Sequence, residues 1–186
     1  MKITLAGSPG SGKSTLRDML AEHYGLDIKG TGDFMRKLSK KHGYSDITEF
    51  ISEYVSEHPE MDKQVDEEQR IYGEKNDDFV LDAHLGFHFV PDSIRICLKC
   101  DTAESARRIL EDKKRTTEDA KTFSESIESS MKRRRVMRKN YQNLYKVDID
   151  DTKNFDFVID TTSLSYEEVF EKVISFIDHR ISIDKV

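Results

Sequence analysis

The segment Gly7-Ser8-Pro9-Gly10-Ser11-Gly12-Lys13-Ser14 fits G-x-x-x-x-G-K-[ST] at every position and sits between an apolar run and an amphipathic one. Its glycines let the backbone curl so that successive N–H groups converge on phosphate oxygens. The curl needs a strand to deliver the chain and a helix to receive it, because the positive helix N-terminus completes the anion site. "KITLAG" supplies the strand. "KSTLRDMLAEHYG" supplies the helix, with Leu16, Met19, Leu20 and Tyr24 on one side and Gly25 as its stop. Gly7, Ser8, Pro9, Gly10, Ser11, Gly12, Lys13, Ser14 and Thr15 are therefore expected to hold a nucleoside triphosphate. In that reading Lys13 reaches the β and γ phosphates and the Ser14 hydroxyl ligates Mg²⁺.

Beyond the loop, apolar and helical patterns alternate. "LDIKG" reads as a second strand, and residues 33–71 as about three helices interrupted at Gly43 and at His58-Pro59. "DFVLDA" and "SIRICLKC" are two further strands, the first continuous enough for the middle of a parallel sheet. A helix is expected from Thr102 to about Asp112, one or two polar helices from Asp119 to Tyr145, and a last strand at "FDFVIDT". "SYEE" at Ser165 is a capping box opening a final helix through Val169, Val173 and Ile177. Five strands alternating with helices predict a doubly wound, parallel α/β sheet. The long helical excursions after the second and fourth strands would project from carboxyl strand ends, where open α/β sheets bind ligands.

Composition adds bounds. Hydrophobic and charged residues make up 36% and 35%, an ordinary globular balance, and no apolar run approaches a membrane span. The expectation is a cytoplasmic, monomeric protein of one domain. Cys97 and Cys100 form a Cys-x-x-Cys with no second metal-binding pair at finger spacing, so they are expected as reduced structural thiols. Net charge is −6, yet residues 99–146 carry 14 Lys/Arg against 8 Asp/Glu. Such a segment suits a polyphosphate clamp or a solvated helix, and the acidic remainder makes nucleic acid an unlikely partner. An N-K-x-D segment, which would read a guanine base, does not occur.

The residues after the second strand are more specific. "GTGDFMRKL" resembles the T-G-D-x-x-R segment of adenylate kinases and the S-A-G-x-x-x-R segment of archaeal-type cytidylate kinases. "HPEMDKQVDEEQ" and "YKVDIDDTKNFDFVIDTTSLSYEEV" resemble two further stretches of the latter family, so the resemblance spans nearly the whole chain. It implies a three-layer P-loop kinase fold: a core of residues 1–32, 77–112 and 147–186, an acceptor-binding helical insert at 33–76 and a lid at 113–146. It also implies Mg²⁺-dependent phosphorylation of CMP or dCMP by ATP. Arg36 would grip the acceptor phosphate beside Gly32 and Asp33, Asp62 would help recognise the base, and Arg108 and Arg133 would clamp phosphates from the lid.

The chain departs from that family in places. His84 stands where the family has an acceptor-contacting arginine, and it cannot form the guanidinium fork. Asp82, at the end of a buried strand, is expected toward the Mg²⁺ shell. Asp112 and Asn140 replace two lid arginines. These shifts leave open another acceptor (UMP, AMP or dTMP) or a nucleotide-binding regulator without acceptor turnover.

Overall fold

The computed structural model describes residues 1–45, 50–55, 57, 58, 60–111, 131, 135 and 138–183. Five strands form one parallel sheet: β1 (Lys2–Gly7), β2 (Asp27–Gly30), β3 (Phe79–Asp82), β4 (Ile94–Lys99) and β5 (Phe157–Asp160), in the order β2-β3-β1-β4-β5. The first half of the chain sets β2 at one edge and β3 between it and β1, and β4 and β5 then build on the other side. The loop after β1 thus lies at the topological switch point.

Side-chain alternation divides the sheet into two faces. Val80 joins Ile3, Leu5, Ile96, Leu98 and Ile159 on one face, covered by α1 (Lys13–Tyr24) and the C-terminal helix α6 (Tyr166–Ile183). Its neighbours Phe79 and Leu81 point to the other face, against Phe34, Leu38, Met61 and Val65 from α2 (Thr31–Lys41) and α3 (Met61–Lys75). The result is three layers. Between α2 and α3 the chain makes a π-helical turn, Phe50–Val55, and Gly86–Phe89 forms a short helix, α4, after β3. Gly86 packs closely there: a Cβ would come within 3.1 Å of the Thr4 side chain, which would have to give by a few tenths of an ångström.

Two later helices follow their local signals. Asp101 caps α5 (Thr102–Glu111) through the Ala103 N–H. Ser165 and Glu168 form the expected reciprocal cap of α6, with N–H to side-chain bonds of 3.1 and 2.8 Å. Residues 138–145 are helical, while most of the expected 119–145 helical stretch lies outside the described residues. The sequence reading differs from the fold over 33–71. α2 begins directly at Thr31, because the Asp33 carboxylate accepts the Gly30 N–H and closes the first turn (2.9 Å), and the second of the three helices is the π-helical turn. No described helix is long and apolar enough to cross a membrane.

Candidate active site

The phosphate loop is over-determined. Gly7, Gly10 and Gly12 have φ of +145°, +75° and +91°, the region open to glycine. A Cβ on Gly7 would drive into the Leu98 carbonyl oxygen, and one on Gly10 would lie 2.5 Å from the Ser105 carbonyl oxygen. The Ser105 hydroxyl donates to the Pro9 carbonyl, and the buried Thr161 hydroxyl donates to the Ser11 carbonyl at 3.0 Å. The loop is therefore clamped between the start of α5 and the end of β5. Lys13 Nζ is drawn into the curl by the Gly7 and Ser8 carbonyls, at 3.0 and 3.1 Å. The Ser11 hydroxyl is buried without a partner among the described residues, an unusual cost that a phosphate oxygen would relieve.

On one side the loop opens into a cleft of about 830 Å³, a volume ordinary for a nucleotide-sized ligand. Gly12, Lys13, Ser14 and Thr15 form its floor, Arg107 and Arg108 one wall, and Tyr166 the other. Tyr166 is half exposed and lies close to Gly12, so the first residue of α6 presents an aromatic face to the cleft. Arg108 is only 14% exposed, bonded to the Thr161 and Thr162 carbonyls at 2.8 and 3.2 Å and to Glu104 at 2.7 Å. It braces the cleft wall. Cys97 and Cys100 form no disulfide, and burial pushes the Cys100 thiol up, with the nearby Arg108 charge opposing it, so the Cys100 thiol is not activated by its surroundings.

Across the strand ends lies a second set of residues. Asp82 closes β3 in register with Leu5 of β1 and Gly30 of β2. Its carboxylate has no hydrogen bond or ion pair among the described residues. Asp33 holds Arg36 through an ion pair of 2.6 Å, and a Cβ on Gly32 would touch that guanidinium at 3.5 Å. His84 follows Asp82 in the turn leading to α4. Asp62 belongs to the first turn of α3, and its side chain lies outside the described set, as does Arg133. Ser14 and Asp82 offer the hard oxygen ligands that Mg²⁺ accepts, an ion that takes few protein donors and completes its shell with water and phosphate.

Sequence reasoning missed one polar cluster. Asp66 is 6% exposed where a four-residue acidic spacing suggests a solvated face, and Gln69 is 2% exposed. Gln69 Nε2 donates to Asp66 Oδ1 at 3.1 Å, and the Tyr145 hydroxyl donates to Oδ2 at 2.6 Å. A signal was present: Met61, Val65, Gln69 and Gly73 recur every four residues, which puts Gln69 in the apolar stripe.

Comparison with known proteins agrees with this arrangement. The family profile described as an AAA domain matches residues 6–128. The cytidylate kinase of Pyrococcus horikoshii is 35% identical over 178 residues, covering 95% of this chain and 88% of that one. An S-adenosylmethionine-dependent nucleotide dehydratase of Lacinutrix mariniflava is 31% identical over the whole chain, which spans 37% of that protein's length. Among solved structures, the shikimate kinase of Bacteroides thetaiotaomicron superposes with a TM-score of 0.65 at 13% identity, covering 100% of this chain and 99% of that one, a likeness of fold alone. With a clamped phosphate loop, a nucleotide-sized cleft and a match that runs from end to end, this chain belongs to the cytidylate-kinase-like P-loop kinases.

Proposed function

We propose that the chain transfers the γ-phosphoryl group of ATP to a nucleoside monophosphate, CMP or dCMP before others, in the presence of Mg²⁺. The observation that carries this reading is the phosphate loop's position between two different surfaces: the 830 Å³ cleft on the α5 and α6 side, and the Asp33–Arg36 turn at the end of the neighbouring strand. One suits a donor nucleotide and the other an acceptor phosphate. The near full-length match to cytidylate kinases supports the choice of acceptor.

In this reading Tyr166 and the Arg107–Arg108 wall receive the donor's base and ribose, while the loop N–H groups and Lys13 hold its β and γ phosphates. Ser14 and Asp82 hold Mg²⁺, which when bound neutralises phosphate charge. Arg36 orients the acceptor phosphate, whose second pKa of about 6 leaves it a dianion at neutral pH. One of its oxygens forms a bond to the γ-phosphorus as the bond to the ADP oxygen breaks. No general base is required. The residues contribute position and charge complementarity, with Arg108 holding the wall and Arg133, within residues 113–146 that we assign as the lid, given a phosphate-clamping role by the resemblance to cytidylate kinases. His84 faces the acceptor in place of the related kinases' arginine, and dependence on that position is the reason to test several bases.

The test is ADP release coupled to a colour reaction, with ATP and Mg²⁺, against CMP, dCMP, UMP, AMP, GMP and dTMP in parallel. Strong stimulation by CMP or dCMP is expected. Stimulation by another monophosphate alone would replace the acceptor. ATP binding with no stimulation by any of them would leave a nucleotide-binding regulator instead.

A further inference from the structure

Gln69 carries an orphan acceptor. Its Oε1 is buried and has no hydrogen-bond partner among the described residues, in a helix stripe whose other members are apolar. The orientation of this amide is fixed by its neighbour. An ionised carboxylate only accepts hydrogen bonds, so a half-turn of the amide would set Oε1 against Asp66 Oδ1, oxygen to oxygen. Asp66 is itself held by the Tyr145 hydroxyl, whose ring packs on His88 and Phe89 of α4 at centroid distances of 5.6 and 5.3 Å. Tyr145, Asp66 and Gln69 form a chain of donors and acceptors ending in one locked carbonyl oxygen.

The position of this oxygen along the insert matters. Lys37 Nζ pairs with Glu68 Oε2 at 2.5 Å, joining α2 to α3. Lys37 follows Arg36, and Glu68 lies between Asp66 and Gln69. The ion pair therefore joins the helix that carries the arginine assigned to the acceptor's phosphate to the helix that carries the locked oxygen.

We infer that Gln69 Oε1 reads the acceptor's base by accepting its exocyclic amine, the N4 amine of cytosine, with Asp66 and Tyr145 as positioning residues. The inference rests on the proposed function. Uracil and thymine present a carbonyl oxygen at the same ring position and would meet the amide oxygen with a like dipole. A site built to pair a polar group rejects the analogue that cannot pair far more strongly than an apolar pocket does.

The experiment compares kcat/KM for CMP and UMP in the wild-type protein and in Asp66→Asn, Gln69→Leu and Tyr145→Phe, with ATP KM and a melting curve for each. In Asp66→Asn the amide is free to turn and offer its N–H to a carbonyl, so the CMP:UMP ratio is expected to fall at least ~10-fold with ATP KM unchanged. Gln69→Leu is expected to lower kcat/KM for CMP by roughly 10- to 100-fold, and UMP by less. Should Gln69→Leu fail to fold, the near-isosteric Asp66→Asn decides, with Tyr145→Phe giving a smaller fall of the same sign. Unchanged ratios in Asp66→Asn and Tyr145→Phe overturn the inference. A wild-type preference for UMP or dTMP overturns it too, while leaving monophosphate kinase activity standing. Absence of turnover with every monophosphate removes the proposed function and this inference together.

Discussion

Arg36 and Arg108 show how differently two arginines of one site can be held. Arg36 is 59% exposed and, among the described residues, paired only with Asp33, itself 41% exposed, and an exposed pair of this kind is worth at most about 1 kcal/mol. Exchanging that partner for a substrate phosphate therefore costs little. The planar fork is what a phosphate needs, and a lysine retains the charge without the fork. Arg36→Lys is expected to raise the acceptor's KM by about 10- to 100-fold, with ATP KM and melting temperature unchanged. Equal rises in both KM values in a steady-state assay would sink the assignment. Arg108 is the opposite case. Its three protein partners and low exposure make it part of the wall, so its substitution would disturb folding and activity together.

At the level of elements, Asp156 ties three of them. It accepts from the Arg95 backbone N–H and guanidinium at the start of β4, and from Arg180 near the end of α6, just before β5 begins. Burial pushes the carboxyl up, but the Arg95 and Arg180 hydrogen bonds outweigh it and hold the pKa down to about 2. A depressed carboxylate pKa stabilises the fold above the unfolded value near 4, and that contribution is lost as pH falls through the folded value. It amounts to about 2 kcal/mol. Asp156→Asn is thus expected to lower stability by about that amount at neutral pH and to flatten its decline between pH 4 and 2, as measured by urea unfolding. A variant with the wild-type acid profile would refute the linkage. The same contrast between local and distant causes explains which elements could be read in advance. The α6 cap is legible because Ser165 and Glu168 are three residues apart and need nothing else. Buried Asp66 accepts from Tyr145, 79 residues away, and no local pattern announces that. The π-helical turn Phe50–Val55 likewise gave no signal distinct from an ordinary helix.

For the whole molecule, the strand order places the phosphate loop at the sheet's centre with Asp82 on the adjacent strand, and couples both to global stability. A ligand that binds only the folded chain adds about 2.7 kcal/mol at a hundred times its Kd. For a chain of 186 residues that is a rise of about 5–11 °C in melting temperature. If Ser14 and Asp82 hold Mg²⁺, part of this rise depends on the metal, and part on the loop N–H groups and Lys13, which need none. Addition of EDTA to the ATP-bound protein is therefore expected to shrink the shift without abolishing it; a tenfold weaker Kd corresponds to about 1.4 kcal/mol, or roughly 3–6 °C. The diagnostic comparison is with Asp82→Asn. In Mg²⁺ buffer this variant should lose part of what EDTA removes from the wild type, and in EDTA the two proteins should shift equally, because the carboxylate would then have no metal to hold. Equal shifts for the two proteins in Mg²⁺ buffer would remove Asp82 from the metal's shell. A deficit in Asp82→Asn that persists undiminished in EDTA would mean that the carboxylate acts on the loop itself.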